Sequence, residues 1–287
     1  MSAIIMSGTQ VAQQADAEFQ QRIQHLKQRQ ITPGLAVVLI GDDPASAIYV
    51  RNKQRRAQKL GINYQLHHLA ASVTQTELLT LIQQLNQDPD VDGVMVQMPV
   101  PPQIDATTVM NTIDPDKDVD GFSVVNVGRL WSGESGNFPG TPRGIMRLLA
   151  AYQIPLAGQQ AVVIGRSNIV GKPMASLLLR ANATVTLAHS KTRNLAAVAR
   201  QADILIVAIG QPEMITAQYV KPGATVIDVG MNHNAQGKLV GDVQFADVQE
   251  TAGFITPVPG GVGPMTITGL LDQVITLAEQ RAQRDDH

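Results

Sequence analysis

Tyr49 and Lys53 stand four residues apart in YVRNK, and Gln97 follows the apolar run VMV at 94–96, just before closely spaced prolines. A spacing of four puts two side chains on one helix face, about 5–6 Å apart at Cβ. A lysine beside a phenol and shielded from water has a lowered pKa and can move protons. The same stretch, with Arg51, Arg55, Arg56 and Lys59, also reads as a basic exposed helix, and taken alone that plainer reading is the better one. Gln97 sits where an open α/β sheet binds its ligand, at the carboxyl end of a strand. Read plainly, its segment is a strand-ending turn held rigid by prolines.

Two further segments invite chemistry. In DPDKDVDG (114–121), Asp116, Asp118, Asp120 and Gly121 match the first half of a calcium loop. The twelfth position is Val127, where a bidentate glutamate is required, so calcium is rejected in favour of a turn with one functional aspartate. TPVPGGVGPMT (256–266) reads as a rigid connection whose glycines let backbone approach a flat ligand.

AVVIGRSNIVGKP (161–173) reads as a buried strand, a glycine turn, and a helix beginning near Lys172–Pro173. Gly165 and Gly171 flank the turn, so backbone can pass close to a phosphate at the helix N-terminus. Ser167 stands where the dinucleotide fingerprint has its second glycine, and Pro173 stands where a P-loop has Ser or Thr. A tight strand–helix turn without a ligand therefore remains open on this segment alone. The following strand ends in AHSKT (188–192), with no carboxylate to bond a ribose hydroxyl. Arg166, Ser190 and Lys191 could instead meet a ribose phosphate, which favours NADP over NAD. Tyr-x-x-x-Lys also occurs in short-chain dehydrogenases, but there it follows the nucleotide motif, and here it precedes it.

The elements that must carry these residues alternate strand and helix almost from end to end, the pattern of an α/β fold with a parallel sheet covered on both faces. Val11, Ala15, Phe19, Ile23 and Leu26 predict a helix over 9–29; a buried strand follows at Leu35–Ile40. Asp43 is placed to cap the next helix, Pro44 to open it and Gly61 to end it. Strands are expected near 62–69 and 93–98, with a helix near 75–87 between them. From 114 to 144 no period survives, and the domain hinge is placed there. Strands near 161–164, 184–189, 203–209, 225–229 and 254–257 follow, then an amphipathic helix over 266–283 that could pack back on the first domain.

The 287 residues suffice for two domains; 44% are hydrophobic and the net charge is −2. That balance argues against nucleic acid or an anionic membrane as the main partner. With no cysteine, a disulfide framework, a cysteine zinc site and a catalytic thiol are excluded. No signal peptide and no membrane-length apolar run are seen, so a cytoplasmic protein is expected.

In this order the segments resemble one family along nearly the full chain, the bifunctional methylenetetrahydrofolate dehydrogenase/methenyltetrahydrofolate cyclohydrolases. The stretches are YVRNK (49–53), VQMPVP (96–101), DPDKDVDGF (114–122), PGTPRGI (139–145), GRSNIVGKP (165–173), AHSKT (188–192), DVGMN (228–232) and TPVPGGVGPMT (256–266). The resemblance implies a folate-binding domain over 1–140 plus 266–287, a Rossmann-like NADP-binding domain over 141–265, an active site in the cleft between them, and a homodimer. It implies NADP-dependent oxidation of 5,10-methylenetetrahydrofolate, then hydrolysis to 10-formyltetrahydrofolate. Lys53 would be the general acid/base, Gln97 its hydrogen-bonding partner, and Tyr49 the ring that stacks on folate and orients Lys53. Asp120 would hold the pterin, with Gly263 and Pro264 lining the same pocket. Gly165, Arg166, Ser167 and Ser190 would take the NADP phosphates and ribose, and backbone at Met231 would face the nicotinamide. Met98 and Val100 replace common leucines and Gly140 a common cysteine, none of them at the acid/base group. Intact Lys53 and an intact cofactor turn speak against a relative with one activity; a non-catalytic NADP-binding protein would be expected to lose Lys53 or Asp120 while keeping Gly165 to Gly171.

Overall fold

The computed structural model describes residues 2–284. The chain runs β1 (Ile4–Ile5), α1 (Gly8–Gln28), β2 (Gly34–Ile40), α2 (Pro44–Leu60), β3 (Asn63–Leu69), α3 (Gln75–Gln87), β4 (Gly93–Val96), α4 (Ala106–Thr112), α5 (Val124–Ser132) and α6 (Gly140–Ala151). It continues as β5 (Gln160–Ile164), α7 (Gly171–Arg180), β6 (Thr184–Ala188), α8 (Leu195–Ala199), β7 (Ile204–Val207) and β8 (Thr225–Asp228). Last come β9 (Asn232–His233), β10 (Leu239–Val240), α9 (Phe245–Val248), β11 (Phe254–Ile255) and α10 (Val262–Arg284). Contacts divide the chain into two compact units, Gln14–Phe138 with Leu270–His287 and Met1–Gln13 with Pro139–Gly269. Two of the three divisions fall inside α1 and α10, and the third just before α6. Of the domain expected at 1–140 plus 266–287, Met1 and the last three residues lie outside the described residues.

In the first unit, β3-β2-β4 form a parallel sheet with β2 in the centre. All seven residues of β2 are buried, as a central parallel strand covered on both faces requires. Asp43 accepts a 2.7 Å bond from Ser46 N at the start of α2, and Gly61, at φ 86°, ends it in the left-handed conformation. Leu78, Ile82 and Leu85 of α3 are buried in one cluster with Ala36, Val38, Val94 and Val96 of the sheet. The C-terminal part of α10 belongs to this unit. Arg22 reaches Asp272 at 2.6 Å and Glu279 at 2.7 Å, and Arg281 reaches Asp92 at 2.9 Å. A partly exposed ion-pair network of this kind contributes on the order of 1 kcal/mol, and most of the hold comes from the buried Leu271, Val274, Ile275 and Ala278.

In the second unit, six strands pair in parallel in the order β1-β11-β8-β7-β5-β6. The first residues of the chain supply its edge: Ile4 pairs with Phe254 and Ile5 with Ile255. Residues 2–13 therefore go with this unit, an assignment that two strand residues are too few to announce. Strand β5 has β6 on one side and β7 on the other, so the turns after β5 and β7 leave neighbouring strand ends in opposite directions. That divergence leaves a crevice at the carboxyl ends of the strands, the ligand site of open α/β sheets.

Candidate functional site

Helix α2 turns Arg51, Arg55 and Lys59 to solvent, whereas Lys53 is 5% exposed. The basic exposed reading holds for its neighbours and fails for Lys53. Its Nζ donates to Gln97 Oε1 at 2.9 Å and lies 3.3 Å from Met95 Sδ. Gln97 is well held: its backbone N–H extends the β4–β2 ladder to Val38 O, and its Nε2 donates to Met98 O at 2.8 Å. Its carbonyl oxygen is thereby aimed at the amine. Burial pushes the Lys53 pKa down, and the charge of Asp120 pushes it back up. Asp120 is raised to about 6 by burial and by Asp118, against the pull of Lys53. An amine lowered and a carboxyl raised, each acting on the other, make an acid–base pair. Tyr49, one turn before Lys53 on α2, is half-buried, and burial raises its pKa.

Asp120 is carried by a loop organised by Asp118, which the sequence offers only as a member of the rejected calcium pattern. Asp118 is 1% exposed and accepts from Gly121 N at 2.9 Å, Ser123 N at 2.9 Å and Asn126 Nδ2 at 3.1 Å. Val94 N donates to Lys117 O at 2.7 Å, stitching the loop to β4. Gly121 has φ +64°, and a Cβ there would meet Asn137 O at 2.3 Å, so only glycine closes this turn. The signal in the sequence is the Asp-x-x-Gly spacing of 118 and 121, an Asx-type turn rather than a metal loop. Among the described residues no group of three or more His, Cys, Asp or Glu is placed to hold a metal ion. Nor is any described helix long and apolar enough to cross a membrane.

In the six-stranded unit, Gly165 has φ +127°, and a Cβ on it would lie 2.2 Å from Ala208 O, just after β7. A Cβ on Gly171 would lie 2.1 Å from Gly165 O. The two glycines let the turns at the switch point approach to backbone contact, the cradle that a dinucleotide pyrophosphate needs at a helix N-terminus. Helix α7 begins at Gly171, slightly earlier than expected. Ser167 Oγ, 3.2 Å from Val170 N, accepts at its entrance, so its first task is local; Arg166 and Ser190 are exposed. Met231 is 48% exposed, its Sδ 3.8 Å from where a Cβ on Gly263 would stand. Gly263 and Pro264 are not loop residues: α10 starts at Val262 and they occupy its first turn, where proline is suited. They belong to the unit that holds Met231.

A doubly wound sheet with this cradle, in a chain that elsewhere couples a buried amine to a partly buried carboxyl, is the construction of a nucleotide-dependent enzyme with acid–base chemistry. Residues 6–120 match the family model for the tetrahydrofolate dehydrogenase/cyclohydrolase catalytic domain, and residues 139–282 match that for its NAD(P)-binding domain. The Bifunctional protein FolD of Lacticaseibacillus casei is 53% identical over 96% of this chain and 98% of its own. The bifunctional FolD enzyme of Campylobacter jejuni superposes with TM-score 0.96 at 46% identity, covering 98% of this chain and all of the other. The FolD of Trypanosoma brucei, solved with NADP and an inhibitor, gives 0.93 at 35% identity over 99% of each chain. The chain belongs to the tetrahydrofolate dehydrogenase/cyclohydrolase family and is a bifunctional enzyme with an NAD(P)-binding domain.

Proposed function

We propose that the chain oxidises 5,10-methylenetetrahydrofolate to the methenyl cation with NADP and then hydrolyses that cation to 10-formyltetrahydrofolate. The observation that carries the second step is Lys53, buried, bonded at 2.9 Å to Gln97 and coupled to Asp120. Bound NADP supplies the hydride acceptor. In the hydrolysis, Lys53 takes a proton from the water that adds to the cation and returns one to the departing folate nitrogen. Gln97 accepts from the amine in either protonation state and keeps it on target. Asp120 bonds the pterin and balances the amine's charge, while Tyr49 stacks on the folate ring. Gly263 and Pro264, beside Met231, contact the substrate. Gly165, Ser167 and the α7 N-terminus take the pyrophosphate, Arg166 and Ser190 the ribose phosphate, and backbone at Met231 the nicotinamide. The assembly is a homodimer, which the family resemblance supports, and the compartment is the cytoplasm.

The test is an absorbance assay with methylenetetrahydrofolate, run with NADP and with NAD. Reduction of NADP without lasting accumulation of the methenyl product is the expected result. A preference for NAD would overturn the assignment of Arg166 and Ser190. No turnover from a folded sample that binds NADP would overturn the catalytic reading in favour of a non-catalytic NADP-binding protein.

A further inference from the structure

Two buried carboxylates in the six-stranded unit take no part in the roles assigned so far. Asp228 ends β8 and is 3% exposed; Asp242 follows β10 and is 0% exposed. Asp228 Oδ1 accepts from Gly230 N and Asp242 N, each at 2.9 Å, and its Oδ2 accepts from Val243 N at 3.0 Å. Asp242 Oδ2 accepts from Ile209 N at 2.7 Å and Gly210 N at 3.1 Å. Its Oδ1 accepts from Gln211 N and from Asn232 Nδ2, both at 2.8 Å. Asp242 thus joins the loop after β7, whose Ala208 carbonyl closes on Gly165, to the segment after β8 that carries Met231. The packing leaves no room for an alternative: a Cβ on Gly230 would sit 2.4 Å from Asp242 N, and one on Gly241 1.7 Å from Asp228 Oδ2.

Burying a carboxylate costs free energy that a loop fastened by ordinary backbone bonds would not incur. The cost is met here by four N–H donors on two loops at the carboxyl ends of β7 and β8, where a dinucleotide lies. We infer that Asp242 is a positioning residue for the oxidation step, locking these two loops together so that the backbone beside Met231 is held against the nicotinamide. The inference rests on the NADP reading proposed above. An asparagine cannot replace the carboxylate. Whichever way it turned, its NH2 would face two of the four donors and leave them unpaired.

The test uses Asp242→Asn and Asn232→Ala, which removes the one bond by which the Asp242 side chain reaches the segment after β8 and leaves the three from 209–211. In the cofactor-free protein, amide exchange at 209–211 should quicken at least tenfold in Asp242→Asn. Dehydrogenase kcat should fall at least tenfold in Asp242→Asn and threefold or more in Asn232→Ala, with KM for NADP changed less than kcat. Cyclohydrolase activity on methenyltetrahydrofolate, measured without cofactor, should stay within twofold. Loss of both activities in step with the folded fraction would make Asp242 a stabiliser only and overturn the inference. So would an unchanged dehydrogenase kcat in Asn232→Ala, the deciding variant if Asp242→Asn fails to fold. Wild-type protein that does not reduce NADP would overturn the functional reading and this inference with it; wild-type turnover with unaffected variants would overturn this inference alone.

Discussion

The two candidate sites are built from different materials. Around Lys53 the working parts are side chains, buried and titratable, mounted on a helix, a strand end and an Asx-closed loop. Around Gly165 the working part is backbone, brought to near contact by two glycines, and the named side chains Arg166 and Ser190 are exposed. The first site is thus sensitive to the chemistry of a group, with Gly121 a position where an added carbon would clash. The second is sensitive to a single added carbon and tolerant of changes in surface charge.

The contrast is broken most severely by Gly165→Ala. With φ +127° and Ala208 O at 2.2 Å from the new Cβ, backbone must move at the switch point. NADP affinity should fall at least tenfold while cofactor-independent cyclohydrolase activity persists; unchanged affinity in a titration would refute the cradle.

The next effect is on pH dependence. Asp120 has a folded pKa of about 6 against 3.8 for an ordinary aspartate. A raised carboxyl contributes stability below its unfolded pKa, and that contribution is lost as pH rises through about 6. Asp120→Asn should therefore be more stable than wild type near pH 7, by less than the ceiling of about 3 kcal/mol set by the shift. Lys53, left without its counter-charge, reduces the gain. The advantage should vanish near pH 4; an advantage that grows on acidification would contradict the assignment. The smallest effect is Asp43→Ala, which removes the cap of α2 and should lower the midpoint of chemical denaturation slightly near neutral pH; because the Ser46 bonds lower the Asp43 pKa, the difference should shrink on acidification.

What could be read beforehand follows the same divide. Helix α2 was legible because Asp43, Pro44 and Gly61 are local punctuation, and β2 because seven consecutive buried residues need no partner to be recognised. Helix α5 lies inside the span 114–144 where no period was found. It exposes Val124, Val125 and Trp131, so its apolar residues do not mark a buried face, and Ser123 and Gly133 were the only remaining signs. Helix α10 begins at Val262, earlier than 266, because Pro264 was read as part of a loop when it sits in the first helical turn. Lys53 could be named but not separated from its basic neighbours, since burial depends on where α2 meets β4. Asp118 stands in the sequence only as a member of the calcium-like pattern, with its spacing to Gly121 as the one turn signal; Asp242 carries no such sign, because its donors at 209–211 and 232 share no short spacing with it.

The central claim, that a buried Lys53 held by Gln97 performs the hydrolytic proton transfer, is tested most directly by Lys53→Met, which keeps the length and packing of the side chain. The account predicts cyclohydrolase activity lowered a hundredfold or more, in the range that positioned acid–base groups contribute, with NADP binding unchanged. Hydrolysis at the wild-type rate in a folded variant would contradict it.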